Sequence, residues 1–417
     1  MLSAAVAAAR AAVRPVLQAV NRQGMVLVAC SGGVDSLALA AAVAFEAPRA
    51  GLSAGAAVVD HGLLEGSAGV ARRAAAQCEQ LGLTPVVIER VNVPLDSPDG
   101  VEAAARAARY AALCRAAAKA GATLVLLAHT MDDQAETVLM ALARGAGATA
   151  LAGMAAEGQL AALAGRDPGD GPPSAGPGDG DRDPGAAGAL QVADLAVVAR
   201  QGAGGPGRSQ GHAMPAGGSR FARPFLGLTR AQTEAVVRDA GLEPWRDPTN
   251  YPGGPHPSLR AEVRARVMPV LAEVLGPGVP GALARTADRL RQDQDLLEDQ
   301  AALLLEEATR AVARGGGGAG GGETASGDGK TLELDAATLA RAHPALRGRA
   351  LRRAALQAGA TPGALGRAHV EALGALAADW RGQGPADLPG GIRAGREYGK
   401  LVFRAKAAHQ QAQGDTT

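Results

Sequence analysis

Residues 24–36 read Gly-Met-Val-Leu-Val-Ala-Cys-Ser-Gly-Gly-Val-Asp-Ser. Met25–Cys30 is an uninterrupted apolar run of strand length, and an Ala/Leu-rich helical pattern begins near Leu37. A Ser-Gly-Gly turn therefore joins a buried strand to a helix. Glycines at such a turn let backbone approach phosphate oxygens, and the helix behind it offers free N–H groups and the positive end of its dipole. The hydroxyls of Ser31 and Ser36 add donors. No GxxxxGK(S/T) pattern occurs, so the lysine that grips outer phosphates in kinases is absent. The turn Ser31, Gly32, Gly33, Val34, Asp35, Ser36 reads as a holder of pyrophosphate. Asp35 would repel phosphate unless a cation lay between them, which points to Mg²⁺.

Outward from this turn, strands and helices alternate. Residues 3–22 read as an amphipathic helix; Gly55–Val59, Pro85–Val91 and Thr123–Ala128 as further strands; Arg72–Leu81 and Glu102–Ala120 as helices. Continuous apolar strands separated by helices imply an α/β fold, a doubly wound parallel sheet covered on both faces. A mostly helical C-terminal region follows: Thr229–Gly241, Ala261–Leu305 and Ala336–Leu376 carry helical spacing, and Gly390–Phe403 alternates like a hairpin. Residues 158–220 are crowded with Gly, Pro, Asp and Ser, too polar to order themselves, with Leu190–Ala199 a returning-strand candidate inside them. Gly315–Lys330 reads as a flexible linker. The expected domains are 1–250 (with 158–220 inserted), 251–314 (helical), the 315–330 linker, and 331–417 (small α/β).

The chain has 417 residues, 47% of them apolar but only 2% aromatic, so its core must be built from Ala, Val and Leu. Lys+Arg 42 against Asp+Glu 41 leaves a net charge of +1, so any RNA-binding surface is a local patch. Cys30, Cys78 and Cys114 form no CxxC pair, which argues against a disulfide framework or a zinc or iron–sulfur site. They look like packing residues, and a reducing cytoplasm is expected. No signal peptide or membrane span is read at the N-terminus.

Two later segments carry further chemistry. Residues 100–110 (Gly-Val-Glu-Ala-Ala-Ala-Arg-Ala-Ala-Arg-Tyr) set Glu102, Arg106 and Arg109 within two turns of one helix, where Glu102 and Arg106 could simply pair. Leu127-Ala128-His129-Thr130-Met131-Asp132-Asp133-Gln134-Ala135-Glu136-Thr137 leaves the fourth strand for a helix. Its carboxylates either meet cations, Mg²⁺ or a lysine ammonium, or serve as N-terminal helix charges.

The Ser31–Ser36 hexamer resembles the phosphate loop of the PP-loop, or N-type ATP pyrophosphatase, superfamily, whose adenine nucleotide alpha-hydrolase-like members cleave ATP to AMP and pyrophosphate. The 100–110 and 127–137 segments, Leu142-Ala143-Arg144-Gly145, Leu151-Ala152-Gly153-Met154, Arg223-Pro224-Phe225-Leu226 and Trp245-Arg246-Asp247-Pro248-Thr249-Asn250 resemble the lysidine synthetases within it. That resemblance implies ATP at the carboxyl ends of the strands, with His61 of Val59-Asp60-His61-Gly62-Leu63 near the adenine. It implies Arg106 and Arg109 at the adenylate, and catalytic roles for Asp35, Asp132 and Asp133, with Mg²⁺ at Asp35 and Asp132. The family's Arg-Asn-Arg-x-Arg run appears as Arg260-Ala261-Glu262-Val263-Arg264-Ala265-Arg266: Arg260, Arg264 and Arg266 fit, while Ala261 and Glu262 depart.

The implied function is ligation of L-lysine to C2 of the wobble cytidine of an isoleucine tRNA with a CAU anticodon. ATP would adenylate the base, and codon specificity would change from AUG to AUA. Arg341–Arg353 holds five arginines and no acid; Arg349, Arg352 and Arg353 share a helical face, suited to phosphate but equally to a solvated helix. The reading allows a homodimer and no membrane. A PP-loop tRNA thiolase and a non-catalytic adenine-nucleotide-binding protein are the alternatives.

Overall fold

A computed structural model describes residues 3–63, 66–94, 101–165, 218–248, 258–315 and 331–405. The Leu190–Ala199 run, Thr249–Asn250 and most of the glycine-rich linker lie outside the described residues.

The first domain opens with α1 (Ala4–Gln18), whose N-cap Ser3 accepts a hydrogen bond from Val6 N–H. It continues through β1 (Met25–Ala29), α2 (Val34–Glu46), β2 (Ser53–Asp60), α3 (Ser67–Gln80), β3 (Val86–Arg90), α4 (Val101–Ala120) and β4 (Ala122–Leu126). These elements stand within a few residues of their expected places. Next come α5 (Met131–Ala143), α6 (Ala148–Leu151), β5 (Glu157–Gln159), α7 (Leu160–Gly165), β6 (Arg220–Ala222) and α8 (Arg230–Asp239). The six strands lie in the order β3-β2-β1-β4-β6-β5. All pairings are parallel except the edge strand β5, which runs antiparallel to β6. Both ends of the expected 158–220 insert are thus built into the domain: β5 and α7 occupy its first residues and β6 begins at its last. Strands of three residues are too short to show a period in sequence.

The sheet core is aliphatic, as the composition required. One face carries Val13, Leu17, Leu37, Leu39, Val43 and Val236 from α1, α2 and α8. The other carries Tyr110, Leu113, Leu160 and Leu163 from α4 and α7. The strand order reverses between β1 and β4, so the loops leaving their carboxyl ends part and open a crevice, the usual ligand position in an open α/β sheet.

The helical region expected over Ala261–Leu305 is divided. α9 (Leu259–Glu262), a π-helical turn (Val263–Val267) and α10 (Met268–Leu275) run together, then the chain bends by 98° through Gly276-Pro277-Gly278 into α11 (Val279–Gly315). That bent pair is long and apolar enough to reach membrane-span length, while no single described helix is. α11 has 37 residues, hence roughly 55 Å of length at 1.5 Å per residue. Its first half lies on the catalytic domain: Gly281 approaches Met131, and the Arg291 guanidinium donates to the carbonyls of Ala152 (2.7 Å) and Gly153. Gly153 has φ +61°, and a Cβ there would press on the Gln134 amide, whose Nε2 and Oε1 bond Met154 O and N. The Leu151–Met154 motif is thus an anchor for α11.

The second half of α11 enters the C-terminal core, where Ala301, Leu305 and Ala308 pack with Leu334, Leu351, Leu373 and Phe403. That domain holds β7 (Leu332–Asp335), α12 (Ala336–Arg341), α13 (Pro344–Gln357), α14 (Arg367–Ala378), β8 (Ala386–Leu388), β9 (Ile392–Glu397) and β10 (Lys400–Ala405). Its sheet is antiparallel in the order β7-β10-β9-β8, and the expected hairpin is β9–β10.

Candidate active site

The phosphate loop leaves β1 toward the crevice. Gly32 has φ +80° and packs against α3, where an added Cβ would lie 3.1 Å from Ala74 Cβ. Glycine is therefore required twice, for the left-handed backbone and for the close helix. Gly33 caps α2 with no side-chain bond, leaving the first amides of that helix for a ligand. The two serines divide their work. Ser36 is buried and braces the loop from within: its Oγ donates to Gly33 O (2.9 Å) and accepts from Ser31 N–H (3.2 Å). The hydroxyl expected to be a phosphate donor is thus already engaged within the loop. Ser31 is exposed and keeps that capacity. Trp245 N–H closes the loop from behind by donating to Gly32 O at 2.9 Å.

Asp35, one residue into α2, and the Asp132–Asp133 pair, at the start of α5, face the same crevice. α8 clamps them together. Thr233 Oγ1 donates to Asp35 Oδ1 at 2.5 Å, the Arg230 guanidinium stands 3.7 Å from Asp35 Oδ2, and Arg230 N–H donates to Asp132 Oδ2 at 2.8 Å. Burial, and after it the charge of Asp133, push the Asp35 carboxyl above the usual carboxylate range. Asp133 also closes a capping box: its Oδ2 accepts from Thr130 N–H (2.9 Å) and its own N–H donates to Thr130 Oγ1 (3.4 Å). The helix-charge reading and the site reading thus hold for the same residue. Its other oxygen meets Arg264 at 3.1 Å. Arg264 also grips Glu136 with two bonds, 2.6 and 2.9 Å. Glu136 is fully buried, and burial raises its pKa despite that pairing.

A basic wall adjoins this one. His129, at the carboxyl end of β4, accepts at Nδ1 from Arg223 Nε (3.0 Å). Burial, followed by the charges of Arg223, Arg260, Arg106 and Arg109, holds its pKa well below the ordinary histidine value. His129 is therefore a neutral ring set among four guanidiniums. Arg106 leans over the Tyr110 ring at 5.3 Å and Arg260 Nη2 donates to Thr137 Oγ1 at 3.2 Å. His61, at the end of β2, is half-buried, and burial followed by the charge of Arg109 keeps its pKa low.

Other expected residues lie elsewhere. Arg266 is exposed and pairs with Glu262, while Ala261 is buried against the domain; the two departures from the family run are a packing position and a surface ion pair. Arg349 and Arg353 bind Glu298 of α11 (3.4 and 3.1 Å), and Arg352 donates to Leu365 O at 2.6 Å. Part of the α13 face thus holds α11 and the chain after α13, while Arg352 and Arg353 remain exposed. Cys30 and Cys78 are buried in the core, where contact with Cys78 lowers the Cys30 thiol pKa.

Sequence reasoning gave no role to Thr233, Arg230, Arg223 or His129. The last two stood in quoted motifs. Thr233 and Arg230 sit in a helix whose spacing speaks only of packing.

Two family descriptions match the chain: a PP-loop domain over residues 7–166 and a TilS substrate binding domain over residues 334–402. A tRNA(Ile)-lysidine synthase of Leifsonia xyli is 43% identical over 91% of this chain and 89% of its own length. Those of Salinispora arenicola and Thermobifida fusca are each 42% identical over 96% of this chain, covering 97% and 98% of their own lengths. Among solved structures, a U34-tRNA thiolase from Methanococcus maripaludis is 14% identical with a TM-score of 0.43, over 69% of this chain and 79% of that one.

Proposed function

The chain belongs to the tRNA(Ile)-lysidine synthase family, and from that premise we propose how its crevice ligates lysine to tRNA. It is an ATP-using PP-loop ligase that modifies tRNA. In the proposed reaction, O2 of the wobble cytidine in the CAU-anticodon isoleucine tRNA attacks the α-phosphorus of ATP and pyrophosphate leaves. The ε-amine of lysine then attacks C2, AMP departs with O2, and lysidine remains.

The observation that carries this reading is the α8 clamp, which holds Asp35 beside the phosphate loop and Asp132 at the α5 turn through one helical end. Four carboxylates (Asp35, Asp132, Asp133, Glu136) share this side with two guanidiniums, Arg230 and Arg264. Such a surplus of acid, partly buried, is costly unless cations complete it. Mg²⁺ suits Asp35 and Asp132: among the described residues no group of three His, Cys, Asp or Glu forms an all-protein cage, and Mg²⁺ characteristically takes one or two carboxylates plus substrate phosphates. When bound it would neutralise charge on the departing pyrophosphate. The lysine ammonium is the second cation, held by Asp132 and Asp133, which are also the acids placed to take its proton before attack.

On the other wall, Arg106 and Arg109 stabilise the phosphate charge of the adenylate, with His61 near the adenine. Neutral His129 orients Arg223 without adding charge. Positioning and charge neutralisation then supply the rate, with no covalent enzyme intermediate. The thiolase reading gains nothing from Cys30 and Cys78, which are core residues.

The test supplies purified protein with ATP, labelled lysine and the CAU-anticodon isoleucine tRNA. Label enters the RNA only when all three are present. Sulfur transfer without lysine incorporation would establish the thiolase instead.

A further inference from the structure

Aromatic side chains make up 2% of the chain, and most are hidden. Tyr110, Phe221, Phe225 and Phe403 are buried, and Phe45 lies between the guanidiniums of Arg10 and Arg49. Among the described residues the exposed aromatic side chains are Trp380, at 40%, and Tyr398, at 103% of its reference surface. Both fall within residues 334–402, the span matched by the substrate-binding description.

Tyr398 occupies an unusual place. Glu397 pairs with Lys400, so Tyr398 and Gly399 alone make the β9–β10 turn, with φ +46° and +80°. Two positive φ values in a two-residue hairpin turn normally select Asn, Asp or Gly at the first position. A bulky residue there is an outlier with no local reward, and this ring has no packing to repay it. The hairpin, residues 392–405, carries Arg393, Arg396, Lys400 and Arg404 against one acid of its own, Glu397; Arg393 pairs with Asp387, Lys400 with Glu333 and Arg404 with Glu397. Arg396 reaches back to the carbonyls of Leu376 and Ala377 (3.2 and 3.1 Å) and lies 5.9 Å from the centre of the Trp380 ring. A fully exposed ring at a hairpin tip is an arrangement that holds an unpaired nucleotide by stacking.

We propose that Tyr398 is a stacking platform for an unpaired base of the substrate tRNA, distinct from the base that reacts. Its domain is held to α11 at Ala301, Leu305 and Ala308, 20 to 27 residues beyond the Gly281 contact with Met131 at the crevice, or roughly 30–40 Å along the helix axis. The hairpin tip therefore reads a second part of the RNA and gives the enzyme grip on the whole tRNA. This rests on the proposed tRNA reading and adds a residue and a contact type to it.

The experiment measures equilibrium binding of full-length isoleucine tRNA and of its isolated anticodon stem-loop, without ATP or lysine, to wild type, Tyr398→Phe and Tyr398→Ala, at several salt concentrations. Binding without the other substrates keeps a failure here separate from a failure of the ligation reading. Thermal midpoints show whether each variant folds; the ring contacts no core, so both keep the wild-type value. Tyr398→Ala weakens full-length tRNA by about 5- to 100-fold, Tyr398→Phe stays near wild type, and the slope of log affinity against log salt is unchanged, because stacking releases no counterions. The stem-loop binds all three proteins alike. Full-length tRNA binding that is indifferent to Tyr398→Ala overturns the proposal. So does an equal loss in Tyr398→Phe, which would mean a hydroxyl hydrogen bond, or an equal loss with the stem-loop, which would place the contact at the anticodon.

Discussion

The two walls of the crevice are built by opposite electrostatic methods. On the acidic side, each carboxylate is engaged by the protein: Asp133 by a helix cap and Arg264, Glu136 by the same guanidinium, Asp132 by a backbone N–H, Asp35 by a hydroxyl. On the basic side, four guanidiniums surround one imidazole that is kept neutral. One wall retains a surplus of negative charge after its internal pairing, and the other retains positive charge around an uncharged hinge. Carboxylates suit an amine or a metal ion and guanidiniums suit phosphate, so the crevice carries partners for ligands of both signs.

Breaking the acidic wall at its internal cation has the largest expected effect. Arg264→Met leaves Asp133 and buried Glu136 without their partner and lowers stability by about 3–5 kcal/mol, read by denaturant unfolding. Adding Glu136→Gln recovers part of that loss, and a double variant no more stable than the single would show that the pair does not share this energy. Next is Asp35→Ala, which lowers pyrophosphate release on the order of 10²–10³-fold while the thermal midpoint holds, because Asp35 is bound to the fold by one hydroxyl and a distant guanidinium. Full turnover in that variant refutes its role. Thr233→Val removes the hydroxyl and costs about 3- to 10-fold in rate, in line with one hydrogen bond of about 1 kcal/mol; Thr233→Ser restores it.

The basic wall is sharpened by pH. His129 has a folded pKa below its unfolded value, so between the two the unfolded chain binds a proton that the native chain does not, and stability rises with pH. Its contribution is fully present above the unfolded value of about 6.5 and fades as pH falls below it. His129→Gln therefore shows a smaller drop in thermal midpoint between neutral and mildly acidic pH than wild type. An identical drop removes His129 from the account.

The phosphate loop and the acid pair were legible because strand, turn and helix are contiguous there, so residue type and local conformation can be read together. The α8 clamp was not. Thr233 lies 198 residues from Asp35, and a threonine in an amphipathic helix carries no mark of what it faces. The partners of the α13 arginines were illegible for a related reason. Their shared face is real, but the partner that occupies it, Glu298, stands on α11, and a local pattern cannot see a distant helix. β5 and β6 are three residues each, below the length at which alternation can be counted. The aromatic count says nothing of exposure: among the described residues the exposed rings, Trp380 and Tyr398, fall in one domain.

The central claim is that Asp35 and Asp132, carried by the different helices α2 and α5, act as one acidic unit on the leaving pyrophosphate. A double-mutant cycle on single-turnover pyrophosphate release, with Asp35→Asn, Asp132→Asn and both, measures this directly. The account expects the double variant to be no slower than the worse single one. Two losses that multiply would mean that the carboxylates work independently, and would contradict it.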